Sequence, residues 1–122
     1  LGGGILLKQN ILLNIKALEN LEELEDSLSI SSEPITSLNG IHNLQNITLN
    51  SQIYNNENLQ DLNDLESLKT LGRDLRVLGN DTLEDLCALT TAMNNGFSGS
   101  YLLFSNAYNP SLEDLQNGDC SL

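Results

Sequence analysis

The chain has 122 residues, enough for one domain with a modest core. Seventeen Asp and Glu face five basic residues, Lys8, Lys16, Lys69, Arg73 and Arg76, giving a formal net charge of -12. Such a surface repels phosphate backbones and anionic lipid, which excludes nucleic acid as a partner, and no apolar run reaches the roughly 20 residues of a membrane-crossing helix.

In chain order, short alternating stretches are interleaved with longer runs in which an aliphatic residue falls at every third position. Gly2 to Gly4 lead into the first alternating pair, Ile5 and Leu7; the first triplet run follows as Ile15, Leu18, Leu21, Leu24. Leu28 and Ile30 precede Ile35, Leu38, Ile41, Leu44, Ile47; Ile47 and Leu49 precede Leu59, Leu62, Leu65, Leu68, Leu71. Gly72 introduces Leu75 and Val77, and Gly96 and Gly99 introduce Leu102 and Phe104. Each alternating pair reads as a strand with two inward side chains. The triplet runs fit neither regular element: a helix falls back about 60° per three-residue step, and a strand would turn every second leucine into water. They fit an irregular or 3-10-like wall reused against one continuous core.

The heads of the runs, Ile15, Ile35, Leu59, Leu83 and Leu112, mark a repeat, and an asparagine stands three residues ahead of the last three: Asn56, Asn80 and Asn109. Asparagine tolerates the left-handed conformation and bonds neighbouring backbone, so these three are assigned as structural corners whose amides could bond one another from repeat to repeat. The expected fold is all-β, a right-handed parallel β-helix or solenoid of about five leucine-rich coils with one short C-terminal helix. That helix is placed between Leu86 and Asn95, where Leu86, Leu89 and Met93 have helical spacing and Asn95-Gly96 supplies a stop. Residues 1–122 are expected to be one domain, a piece of a longer exported protein, with 86–122 as its C-terminal cap.

Two cysteines and one histidine are too few for a zinc site on any usual spacing. Cys87 and Cys120 are either a structural disulfide, the preferred reading, or two buried thiols. The disulfide would imply an oxidising compartment and would staple the cap, contributing roughly 3 to 4 kcal/mol in the chain-entropy model.

The pattern of a strand followed by Asn-x-x-Leu-x-x-Leu, carried most closely by Asn80-Asp81-Thr82-Leu83-Glu84-Asp85-Leu86, resembles the receptor L domain family of leucine-rich β-solenoid modules. It is most similar to versions in exported proteins of Bacteroidetes, especially flavobacteria. The order Cys87, short helix, Asn95-Gly96, Tyr101 to Ser105, Asn109-Pro110, Cys120 resembles an ending common in such proteins. The resemblance implies a secreted or cell-surface protein, outer membrane-associated, of a Gram-negative bacterium. The first coil lacks the asparagine spacing, and the third carries extra residues around Gln52 to Asn55. A true leucine-rich repeat horseshoe fits Leu71, Leu75, Val77 and Asn80 only loosely.

Little in the sequence suggests chemistry. His42 is the sole histidine, with no nucleophile placed beside it by a recognisable motif, and reads as a solvent-facing loop residue. Acidic clusters at Glu19, Glu22, Glu23, Glu25 and Asp26, at Asp61, Asp64 and Glu66, and at Asp81, Glu84 and Asp85 read as the wet side of the triplet wall. Calcium binding or glycoside cleavage is the competing reading, without a calcium-loop motif to support it. Neither an enzyme nor a cofactor is expected. Asn46-Ile47-Thr48 and Asn80-Asp81-Thr82 match the N-glycosylation pattern and read as chance. Gln52, Ile53, Tyr54 and Asn55 read as an inserted corner and are the candidate binding loop; the competing reading is a tolerated insertion. The expected function is a non-catalytic recognition or adhesion module for an unidentified protein or glycan; the alternatives are a spacer without a ligand, and a calcium- or carbohydrate-associated module. An end-to-end homodimer through the N-terminal coil near Ile5 is also expected, because that strand is read as an uncovered edge.

Overall fold

The computed structural model describes residues 5–8, 19–32, 35–38 and 40–122. Ile15, Leu18 and the Gly2 to Gly4 cluster lie outside the described residues. Strands β1 (Ile5–Lys8), β3 (Leu28–Ser31), β5 (Ser51–Tyr54), β7 (Leu75–Leu78) and β8 (Tyr101–Phe104) alternate along the chain with the shorter β2 (Glu23–Leu24), β4 (Asn46–Ile47) and β6 (Thr70–Leu71). The first set forms a five-stranded parallel sheet in the order β1-β3-β5-β7-β8, and the second a three-stranded parallel sheet in the order β2-β4-β6. Register is uninterrupted: Leu28 pairs with Ser51, Ser51 with Leu75, and Leu75 with Tyr101.

The triplet runs occupy the path from the large sheet to the small one, and their backbone explains the spacing. Leu59 donates its N–H to Asn56, Leu65 to Leu62, Leu68 to Leu65, Ile41 to Leu38, Leu44 to Ile41, and Leu89 to Leu86. Every one is an N–H to C=O bond three residues back, the 3-10 pattern, which returns side chains to the same face after three residues. Among the described residues two stretches close into 3-10 helices, Asn63–Leu65 and Cys87–Leu89. The apolar residues consequently fall into columns: Ile35, Leu59, Leu83; Leu38, Leu62, Leu86; Ile41, Leu65, Leu89; Leu44, Leu68, Ala92. All are buried in one core cluster with Leu24, Ile47, Ile30, Ile53 and Val77.

The all-β solenoid expectation is corrected by these elements. The chain is a mixed α/β domain of two parallel sheets, with helices α1 (Thr90–Met93) and α2 (Leu112–Gln116) besides the 3-10 segments. The expected single helix is a 3-10 turn that widens into α1, and α2 is additional. The start of α2 follows from local chemistry: Pro110 precedes the cap, Ser111 Oγ accepts the Asp114 N–H at 3.1 Å, and Glu113 and Asp114 occupy the first turn.

Two strands also differ from the sequence reading. The third long strand is Ser51–Tyr54, while Ile47 belongs to the small sheet. In β8 the inward residues are Tyr101 and Leu103; Leu102 and Phe104 face solvent, 42% and 51% exposed. Register with β7 decides this, since it sets Tyr101 beside Leu75 and Leu103 beside Val77, both buried. Tyr101 keeps its hydroxyl bonded by donating to the Pro110 carbonyl at 2.8 Å.

Candidate functional site

Where the large sheet ends, β3, β5, β7 and β8 each turn through one residue with positive φ: Ser32 at 57°, Asn55 at 56°, Gly79 at 70° and Ser105 at 58°. At Asn56 and Asn80 the left-handed conformation thus belongs to the residue before the assigned corner asparagine, not to the asparagine itself. Asn56 and Asn80 follow directly and are fully buried. Oδ1 of Asn80 accepts from the Asn56 backbone N–H at 3.0 Å and from Nδ2 of Asn56 at 3.1 Å. Oδ1 of Asn106 accepts in the same way from the Asn80 backbone N–H at 3.1 Å and Nδ2 at 2.9 Å. The amides also reach strand carbonyls: Nδ2 of Asn56 donates to Ile30, Nδ2 of Asn80 to Ile53, and Nδ2 of Asn106 to Val77.

The ladder residue of the last repeat is therefore Asn106, which the spacing argument missed. Asn109 closes the ladder, its Oδ1 accepting from the N–H and Nδ2 of Asn106 at 3.1 and 2.8 Å. The available signal was distance from the strand rather than from the next leucine: Asn56, Asn80 and Asn106 each stand two residues after their strand ends. Burial of Asn80 also leaves its amide engaged and inaccessible to a glycan.

A second ladder stands at the other end of the same sheet. Asn50 N–H donates to Ser27 Oγ at 3.2 Å, Asp74 N–H to Asn50 Oδ1 at 3.2 Å, and Ser100 N–H to Asp74 Oδ1 at 2.9 Å. β5 and β7 are thus held at both ends by side chains from neighbouring repeats, and the outer faces of β3, β5, β7 and β8 are aligned in rows. One row is Ser29, Gln52, Arg76, Leu102; the other is Ser31, Tyr54, Leu78, Phe104. The candidate binding loop is corrected accordingly. Gln52, Ile53 and Tyr54 are β5 rather than an inserted corner; Ile53 is core, Gln52 and Tyr54 stand on the outer face, and Asn55 is the left-handed residue after it.

Cys87 and Cys120 form a disulfide with Cα atoms 4.9 Å apart. It ties the start of the 3-10 turn before α1 to the chain after α2, where Leu86 also donates its N–H to the Cys120 carbonyl. An oxidised pair is compatible with an extracellular location. No helix among the described residues is long and apolar enough to cross a membrane.

The acidic clusters separate into local roles. Asp61 Oδ1 accepts from Asn63 N–H and Asp85 Oδ1 from Cys87 N–H, both at 3.0 Å, which starts each 3-10 helix. Asp64 has its pKa raised by burial and then by Asp61, with His42 opposing. Asp81 and Glu84, with Gln60, Thr82 and Ala107, border an open cavity of about 310 Å³. Among the described residues no three His, Cys, Asp or Glu side chains come together as a metal site. The chain matches no protein-family model, no curated protein and no solved structure.

Proposed function

We propose that this domain is a non-catalytic recognition or adhesion module, secreted or held on a cell surface, whose large-sheet outer face binds a protein or a glycan. The carrying observation is the alignment of outward side chains across consecutive repeats: Gln52, Arg76 and Leu102 in one row, Tyr54, Leu78 and Phe104 in the next. A spacer has no need of aromatic and aliphatic side chains on that face, and exposed apolar groups beside a cation are what recognition surfaces use. Two side-chain ladders fix the strands beneath, so the rows are presented with little conformational freedom to lose on binding.

The test is a screen of the purified chain against an array of defined glycans and a panel of purified extracellular proteins, repeated with Tyr54→Ala and Arg76→Ala. The expected result is a ligand retained by the native chain and lost by both variants, with melting curves of the variants unchanged. Retention unaffected by both variants moves the site off this face. No retention on either panel favours the spacer.

A further inference from the structure

We infer that the free edge of β8 pairs with β8 of a second copy, forming an antiparallel two-fold dimer that joins the two large sheets. Among the described residues β8 is the last strand of its sheet and is hydrogen-bonded to β7 alone. The carbonyls of Ser100 and Phe104 accept from Leu75 and Gly79 of the β7 segment. Backbone groups alternate direction along a strand, so Leu102 also faces β7 while Tyr101 and Leu103 direct N–H and C=O away from the sheet. An edge of this kind is a template for another strand.

What selects a second copy is self-complementarity. A two-fold axis at Leu103 lets it exchange both backbone bonds with its own copy, the close hydrogen-bonded pair of an antiparallel ladder. The same axis sets Leu102 opposite the second copy's Phe104 on the outer face, and Phe104 opposite the second copy's Leu102. Among the residues of the sheet whose side chains are described, these two are the large apolar ones left exposed, at 42% and 51%. Any other register that keeps outward residues together buries fewer of them.

Charge points to the same edge. The chain carries a net charge of -12, yet no charged residue occurs from Cys87 through Leu112, which includes all of β8. A charged residue is one device that blocks pairing at an edge; β1, at the other end of the described sheet, includes Lys8, and β8 includes no charge. The nearest charge on the outer face is Arg76, beside Leu102 and paired with Asp74 at 3.5 Å. Two copies of an acidic chain meet with least repulsion here, and added salt, by screening the acids elsewhere, should tighten the dimer.

Sedimentation of the native chain over a concentration series, at low and at high salt, is the test, together with Phe104→Lys and Leu102→Lys. The expected outcome is a monomer–dimer equilibrium that strengthens with salt, and a dissociation constant raised at least about tenfold in each variant. Both positions are solvent-facing, and melting curves establish that the variants are folded. A native chain that remains monomeric at millimolar concentration overturns the inference, as does a dimer that persists in either folded variant or weakens with salt. The ligand screen above is read on Tyr54 and Arg76, so failure of the dimer and failure of the recognition reading are separable.

Discussion

Asn56 and Asn80, 24 residues apart, are joined twice: one oxygen, Oδ1 of Asn80, accepts both the backbone N–H and the side-chain Nδ2 of Asn56. Asn80 is in turn bonded twice to Asn106. A buried amide used this way cannot be replaced by any other side chain. Alanine at position 80 would take the side-chain partner from the Asn56 N–H and from the Ile53 carbonyl, and would leave Asn106 Oδ1 with the backbone N–H of residue 80 alone. Each group deprived of its partner costs about 1 to 3 kcal/mol, so Asn80→Ala is expected to lose at least about 2 kcal/mol. Asn80→Asp keeps the acceptor but removes the donor and buries a charge, and is expected to be no better. Urea denaturation of both variants measures this; a loss below about 1 kcal/mol for Asn80→Ala would show that the ladder is not cooperative.

Cys87 and Cys120 close a loop that contains α1, β8 and α2, with a sequence separation of 33 residues. The loop-entropy relation gives about 3 to 4 kcal/mol for a closure of this length. Reduction, or Cys87→Ser with Cys120→Ser, should therefore lower stability by that amount. Hydrogen exchange should localise the loosening to residues 86–122 first, since Leu24 to Leu71 pack without the disulfide. Uniform exchange across the chain would mean that the two regions unfold as one unit.

Ser51 interrupts a buried column otherwise made of Leu28 and Leu75, and its hydroxyl has no hydrogen-bond partner. A hydroxyl removed from water without compensation costs about 1 to 3 kcal/mol. Ser51→Ala is expected to raise stability by roughly 1 kcal/mol, measurable as an increase in the denaturation midpoint at unchanged slope. A destabilised Ser51→Ala would mean that the hydroxyl is satisfied in solution.

The same serine shows where the sequence stopped being legible. The triplet spacing exposed the core columns because one physical rule, a bond three residues back, recurs along the runs, as at Ile41, Leu44, Leu59, Leu65, Leu68, Leu83 and Leu89. Strand position depended on alternation, and there Ser51 removed one inward apolar signal while Ile47 and Leu49 supplied a false one. Tyr101-Leu102-Leu103-Phe104 is apolar at both parities, so period two could not choose a face; only pairing with Leu75 and Val77 does. Asn109 drew attention from Asn106 because it kept the distance to the next leucine, while the ladder is set by distance from the strand. The outer-face rows were unreadable for the same reason, since they exist only once register is fixed.

Gly72 and Gly99 were read as marks of strand entrances, and the structure gives the reason. A Cβ built on Gly72 would lie 1.8 Å from the Thr48 carbonyl oxygen, and one on Gly99 2.1 Å from that of Arg73. Both obstacles are backbone of the preceding repeat, which cannot swing aside without breaking the sheet register. Gly72→Ala and Gly99→Ala are expected to cost more than the roughly 1 kcal/mol of a simple glycine replacement and to lower the melting temperature separately. A neutral result at either position would mean that adjacent repeats can move apart there.

Asp64 lies beside Asp61 and Glu66, and its pKa is raised from 3.8, first by burial and then by Asp61, while His42 and a hydrogen bond from the Leu38 backbone work against the rise. The folded chain thus holds the Asp64 proton more tightly than the unfolded chain does. Its contribution to stability is fully present below the unfolded value and is lost as pH rises through the raised folded value. At neutral pH the ionised carboxylate is a net burden on the fold. Asp64→Asn, which keeps the shape and removes the charge, is expected to raise the melting temperature at pH 7 and to leave it unchanged near pH 3. Melting curves across that interval should converge at the acidic end. A variant less stable than the native chain at pH 7 would mean that attraction between Asp64 and His42 outweighs both desolvation and the crowding of carboxylates.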